Sequence, residues 1–155
     1  MPVALHQAAH SSTTIGTVVA VANAARIAAG WAGRWVRPAR FAVALGTGIL
    51  ATGVGLAVFG ATAGIVVVAA LALVASALGM GLLETIGPAV AAESVDEDDR
   101  GDAIAAVGLS RSVATFAAPF GVAALVLAMP LAPAMAVAGT VLALPASWAI
   151  RLRRG

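Results

Sequence analysis

LLETIGPAVAAESVDEDDRGDAIAAVGLSRSV, residues Leu82 to Val113, joins two strongly apolar segments through a short acidic hinge. Six of the chain's seven acidic residues, Glu93, Asp96, Glu97, Asp98, Asp99 and Asp102, sit in that hinge together with Arg100. Flanking segments this apolar cannot form the shell of a water-soluble domain, so the hinge marks a point where the polypeptide emerges into water. The seventh acid, Glu84, stays inside. An ionised carboxylate in hydrocarbon costs roughly 2.5–3.5 kcal/mol on insertion scales unless it is paired or faces a wet cavity. Nine residues lead from Glu84 to Glu93, and nine from Asp102 to Arg111. At about 1.5 Å per residue, each interval is about 13 Å of helix. The two segments therefore read as an antiparallel helical hairpin in which Glu84 and Arg111 lie at similar depth and approach each other or share one polar cavity.

The remainder of the chain fits that reading. Of 155 residues, 61% are hydrophobic and 10% charged, with a mean hydropathy of +1.02, far from the average of soluble proteins. The expected fold class is an all-α integral membrane protein, and the first partner is the lipid bilayer. A sequence pI near 11.1 comes from nine arginines without lysine and a net charge of only +2. With no basic helix face and no repeated aromatic platform, nucleic acid is not an expected partner. The absence of cysteine excludes disulfides and thiolate metal sites. MPVALHQAAHSSTT at the N-terminus has no positively charged start and reads as an extramembrane lead-in rather than a signal peptide. A composition rich in Ala, Gly, Val and Arg suggests a GC-rich bacterial genome, hence the inner (plasma) membrane.

Five spans are expected, at about 13–32, 41–59, 65–92, 102–128 and 134–150, in a single membrane domain over 1–155. A hydrocarbon core of about 30 Å takes roughly 20 helical residues. The first span ends in GWAGRWVRPAR, where Arg26, Arg34, Arg37 and Arg40 with Trp31 and Trp35 make a cationic, amphipathic interfacial turn, and Pro38 discourages continuation of the helix. In the second span Ala44, Gly48 and Thr52 form one small-residue stripe and Thr47, Ala51 and Gly55 another, suited to close helix packing in lipid. Gly87 and Pro88 are expected to kink the third span, and Pro119 and Gly121 to interrupt the fourth. Trp148, Arg151, Arg153 and Arg154 anchor the end of the fifth.

The loops at about 33–40 and 93–101 and the tail at 151–155 lie on one side of a five-span arrangement and contain or adjoin all nine arginines. By the positive-inside rule that side is cytoplasmic, which puts the N-terminus outside and the C-terminus inside. An odd number of spans behind an uncharged outer N-terminus suggests the end of a longer protein. Salt contacts are expected between the two cytoplasmic loops, from Arg34, Arg37 and Arg40 to Glu93, Asp96 and Asp102, with Arg100 in the same cluster.

Candidate chemistry is sparse. Glu84 and Arg111 are the residues expected to contact substrate or a coupling ion, since ionisable groups within spans mark such paths, the alternative being a structural ion pair or a snorkelling arginine. Asp96, Asp98 and Gly101 fall at positions one, three and six of an EF-hand-like loop, but Arg100 and Val107 occupy positions five and twelve, so no metal site is expected. His6 and His10 are four apart with no acid nearby and read as mobile N-terminal residues. Asn23, Ser110, Ser112 and Thr115 read as interhelical hydrogen-bonding groups. There is no phosphate-binding G-x-x-x-x-G-K-[ST] loop and no G-x-S-x-G elbow, so neither an enzyme nor a cofactor is expected.

Gly30, with Arg34, Trp35 and Arg37 behind it, stands where the major facilitator superfamily has the Gly, Asp, Arg and second Gly of its loop signature. Gly79, Gly81, Pro88 and Glu93, then Arg100-Gly101-Asp102-Ala103, then Pro119 and Gly121, follow the order of that family's tenth and eleventh helices. The chain thus resembles the C-terminal portion of a major facilitator transporter, helices eight to twelve of twelve, over nearly its whole length. The resemblance implies a partial bundle of that type, alternating access, transport of a small solute, and a separate N-terminal half or other membrane chain as partner. A non-transporting scaffold or partner subunit of a helical membrane complex is the other function the sequence allows.

Overall fold

The computed structural model describes residues 11–62 and 64–144, and every regular element among them is a helix. Helix α1 spans Ser12–Gly33, α2 Phe41–Ala61, α3 Val66–Glu93, α4 Arg100–Ala128 and α5 Leu131–Ala143. Single 3-10 turns at Pro38–Arg40 and Glu97–Asp99 lead into α2 and α4. The stretch on which His6 and His10 fall, the end of the expected fifth span, and Trp148, Arg151, Arg153 and Arg154 lie outside the described residues.

Helix starts follow local chemistry. Ser11 caps α1 by accepting a hydrogen bond from the Thr14 amide at 3.2 Å, satisfying one of the orphan donors of the first turn. Pro38 opens the turn before α2, where a missing amide hydrogen costs nothing. Glu97, Asp98 and Asp99 gather immediately before α4 and Asp102 lies in its first turn, placing negative charge at the positive end of the helix dipole.

Helices α1 to α4 are each long and apolar enough to cross a membrane. Their 22, 21, 28 and 29 residues give lengths of about 32–44 Å at 1.5 Å per residue. The described part of α5 is shorter, at 13 residues. Expected and observed boundaries agree within about two residues for the first four spans. The fifth begins three residues early, at Leu131, and is described only as far as Ala143 as helix.

One expectation fails at a proline: Pro119 does not interrupt α4, which runs through it unbroken. Helix α3 also continues through Pro88. What each proline removes is the donor for the carbonyl four residues back. Those carbonyls belong to Glu84 and Thr115.

Helix α3 is central, packing against α2 and α1, while α2 also packs on α5 and α4 touches α3 and α5. Small residues set the close approaches. Ala44, Gly48 and Thr52 are buried as one stripe, and a Cβ on Gly79 would stand 2.5 Å from the Gly48 carbonyl oxygen and 2.6 Å from Thr52 Oγ1. Of the second stripe, Gly55 is buried and Thr47 is exposed. Polar pins cross the same interface: Ser76 Oγ donates to the Thr52 carbonyl at 3.1 Å. On the other side of α2, Gly53 meets the Gly139 backbone, bringing α5 in.

The apolar cluster of Ile15, Val18, Ala22, Phe59, Ala69, Ala72, Leu73 and Met135 fills the end where α1 and α3 begin and α2 ends. Outside it the surface is greasy: Ile27, Leu71, Leu109 and Phe116 are all more than 65% exposed. Helix α4 is extreme, with none of its described side chains buried. The acidic hinge lies at the opposite end from the apolar cluster, and charge collects toward it.

Candidate functional site

Three helices meet at one carboxylate. Glu84 on α3 accepts from Arg26 Nε through Oε2 at 3.1 Å, from Arg26 Nη2 through Oε1 in a close ion pair, and from Arg111 Nη2 through Oε1 at 2.7 Å. Both carboxylate oxygens are therefore engaged by Arg26, and Arg111 adds a third charge-assisted contact. The cluster holds one negative and two positive charges.

Backbone packing places Arg26. Glycine at position 81 leaves no side chain between α3 and α1, and a Cβ there would run into the Arg26 carbonyl group. Glu84 follows three residues later, on the same face of α3. Thr85 then locks the register, its Oγ1 donating to the Gly30 carbonyl of α1 at 2.8 Å. Arg111 arrives from α4, eleven residues beyond Arg100, about 16 Å along the helix. Glu84 lies nine residues before the end of α3, about 13 Å, and Arg26 seven before the end of α1, about 10 Å.

Burial is graded across the cluster. The Glu84 side chain is 23% exposed, Arg26 41% and Arg111 54%. Arg111 also borders an open, shallow groove along the exposed face of α4, with Gly108, Ser112, Thr115, Phe116, Pro119 and Phe120. The Phe116 and Phe120 rings lie 5.5 Å apart between centroids and form its apolar wall. Ser112 Oγ donates to the Gly108 carbonyl and Thr115 Oγ1 to the Arg111 carbonyl. Their hydroxyl hydrogens are spent within the helix, so toward the groove they offer lone pairs.

No protein-family model, curated protein or solved structure matches this chain.

The Glu84–Arg111 approach that the nine-residue intervals imply is present. Arg26, expected in the interfacial turn, is the third participant. The loop cluster, in contrast, does not assemble as expected. Among the described residues no ion pair joins Arg34, Arg37 or Arg40 to Glu93, Asp96 or Asp102. Arg34 instead stacks over Trp31 and Trp35, at 4.6 and 5.3 Å from the ring centroids, a contact that suits an interfacial arginine. Arg37 and Arg40 border a shallow hollow with Trp35. Glu93 reaches the start of α2 beside Pro38 and Phe41. Arg100 pairs within its own turn, with Glu97 at 3.7 Å. The acids are drawn to the start of α4 rather than across to the first loop, because the helix dipole and short-range pairing are nearer at hand. Of the polar candidates expected to bridge helices, Ser110, Ser112 and Thr115 bond back to carbonyls of their own helix. Among the described residues no group of three or more His, Asp or Glu side chains could hold a metal ion.

Proposed function

We propose that this chain is a five-span unit of a secondary transporter of the major facilitator type, and that it moves a small solute together with a second membrane unit. Its Arg26, Glu84 and Arg111 then form part of the wall of the central cavity. The observation that carries the reading is the three-helix charge cluster beside an open groove, well inside helices long and apolar enough to span a bilayer. Ionisable groups at such a depth face a cavity or a partner, because lipid tolerates them poorly. In this reading the arginine-rich loops face the cytoplasm of a bacterial cell and the N-terminus lies outside.

A partner-subunit function without transport is the second reading, favoured by the unburied faces of α4. The two differ in what covers Arg111: water in a cavity, or packed protein and lipid. The chain contains no cysteine, which makes single-cysteine labelling direct. In native membranes, Ser112→Cys and Thr115→Cys should react with a membrane-impermeant thiol reagent at least about tenfold faster than Leu71→Cys. Equal, slow labelling at all three positions would remove the transport reading.

A further inference from the structure

We infer that Arg111 is the binding residue of an anion site, and that the groove beside it takes a small organic acid by its carboxylate or phosphate group. The inference deepens the transport reading by naming the class of solute. It begins with the charge balance. Arg26 alone engages both oxygens of Glu84 and neutralises it, so the positive charge of Arg111 is surplus. Arg111 has five donors and spends one on Glu84; among the described residues it has no other protein acceptor.

The surroundings of Arg111 narrow the choice of ligand. Every other described acid lies between Glu93 and Asp102, in the hinge and the first turn of α4, so no second carboxylate stands within the spans to balance it. The guanidinium is half exposed and borders this open groove, whose described lining belongs to α4 alone. Phe116, Pro119 and Phe120 supply apolar surface along that groove, and the outward lone pairs of Ser112 and Thr115 accept from a hydroxyl or amine. A planar fork of donors matches a carboxylate or phosphate in two-pronged fashion. Glu84 is then a built-in competitor: it holds Arg111 when the groove is empty and releases it to an incoming anion.

A structural ion pair and an anion site give opposite responses to removal of Glu84. If Glu84 only stabilises, its loss weakens everything. If it competes, Glu84→Gln frees both guanidinium groups and tightens anion binding by about tenfold, the worth of one additional charge-assisted contact.

The test uses the full chain in nanodiscs of zwitterionic lipid, with thermal unfolding followed in the presence of benzoate, inorganic phosphate, or benzyl alcohol as an uncharged control at matched ionic strength. A ligand that binds only the folded state raises the midpoint with its concentration. Benzoate should raise the midpoint of the wild type, benzyl alcohol should not, Arg111→Gln should abolish the benzoate shift, and Glu84→Gln should reach the same shift at about one tenth of the benzoate concentration. Arg111→Lys, which keeps the charge and loses the fork, covers the case in which Arg111→Gln does not fold, and should weaken benzoate without removing it.

A parallel series with anionic phosphatidylglycerol separates the possible sources of the anion. Persistence of the benzoate shift assigns the site to a soluble acid. Its disappearance, with stabilisation of the wild type but not Arg111→Gln by the anionic lipid, assigns it to a lipid headgroup. Identical anion responses of wild type, Arg111→Gln and Glu84→Gln overturn the site. Because this experiment reads binding by the chain alone and the thiol labelling reads water access in native membranes, either reading can fail while the other stands.

Discussion

Replacing Gly79 with alanine tests whether helix contact, rather than hydrophobic drive, holds this bundle together. The added Cβ would stand 2.5 Å from the Gly48 carbonyl oxygen, 2.6 Å from Thr52 Oγ1 and 2.7 Å from the Thr52 amide nitrogen. Two of those three neighbours are backbone, which cannot rotate aside. Ordinary contact needs about 3.5 Å, so α2 and α3 must separate by about 1 Å, a gap that forfeits a quarter to a half of the dispersion energy at each affected contact. The Ser76 Oγ to Thr52 carbonyl bond, now 3.1 Å, would stretch to about 4 Å, beyond hydrogen-bonding range. Overpacking of this kind costs about 1–3 kcal/mol, and a lost interhelical bond in a membrane about 0.6 kcal/mol. Alanine returns up to about 1 kcal/mol in helix propensity. The net expectation is a loss of about 1–3 kcal/mol, read by reversible unfolding in mixed detergent micelles. Gly16→Ala is the control, since its Cβ would meet nothing within 4 Å, and it should be neutral or slightly stabilising. Equal stabilities of the two variants would refute the claim that close backbone approach at Gly79 holds α2 against α3.

Three further outcomes follow from the same geometry. Double-mutant cycles should give a coupling of about 1–2 kcal/mol for Arg26 with Glu84 and about 0.5–1 kcal/mol for Arg111 with Glu84, because the first pair shares two bonds and the second one, both reduced by partial exposure; a larger Arg111 term would invert the assignment. Thr85→Val should lose about 0.5–1 kcal/mol by deleting the 2.8 Å bond to the Gly30 carbonyl, and Thr85→Ser should recover it, both in the same unfolding assay. Arg100→Gln should change stability by less than about 0.5 kcal/mol, since its bond to Glu97 is 3.7 Å long and both partners are at least half exposed.

The long apolar helices were legible because hydrophobicity accumulates over about twenty residues and survives errors at single positions. The Glu84–Arg111 pairing was legible for a different reason: in an antiparallel hairpin, equal distances from the turn mean equal depth. A depth count on α1 puts Arg26 seven residues before the helix end at Gly33, about 10 Å, within one helical turn of the depth of Glu84. Arg26 was hidden by its neighbours, since Trp31, Arg34 and Trp35 mark an interfacial turn and draw it into that description. Which helix lies beside which was not legible. Beside the apolar cluster and the Arg26–Glu84 pair, the register of α1 on α3 depends on the bare backbone at Gly81 and on one threonine hydroxyl, features without a sequence period. The expected loop ion pairs failed because opposite charges near in sequence and in the same turn, Glu97 and Arg100, outcompete those that must reach across a helix end.

The bundle therefore has two kinds of junction. At one end α1, α2, α3 and α5 bury apolar side chains against each other; at the other, α4 is tied to α3 among the described residues by a single polar bond between side chains, Arg111 to Glu84. No described side chain of α4 is buried, so little apolar packing resists its movement once that bond is released. An anion that draws Arg111 away from Glu84 would thus free the one helix least held by its neighbours, and binding and displacement become a single event. Spin labels at Leu78→Cys on α3 and Leu109→Cys on α4, both exposed positions in a chain with no native cysteine, would report it. Benzoate should shift or broaden their distance distribution, and Arg111→Gln should give the same distribution without benzoate. Superimposable distributions in all three samples would show that α4 is held by something other than this bond.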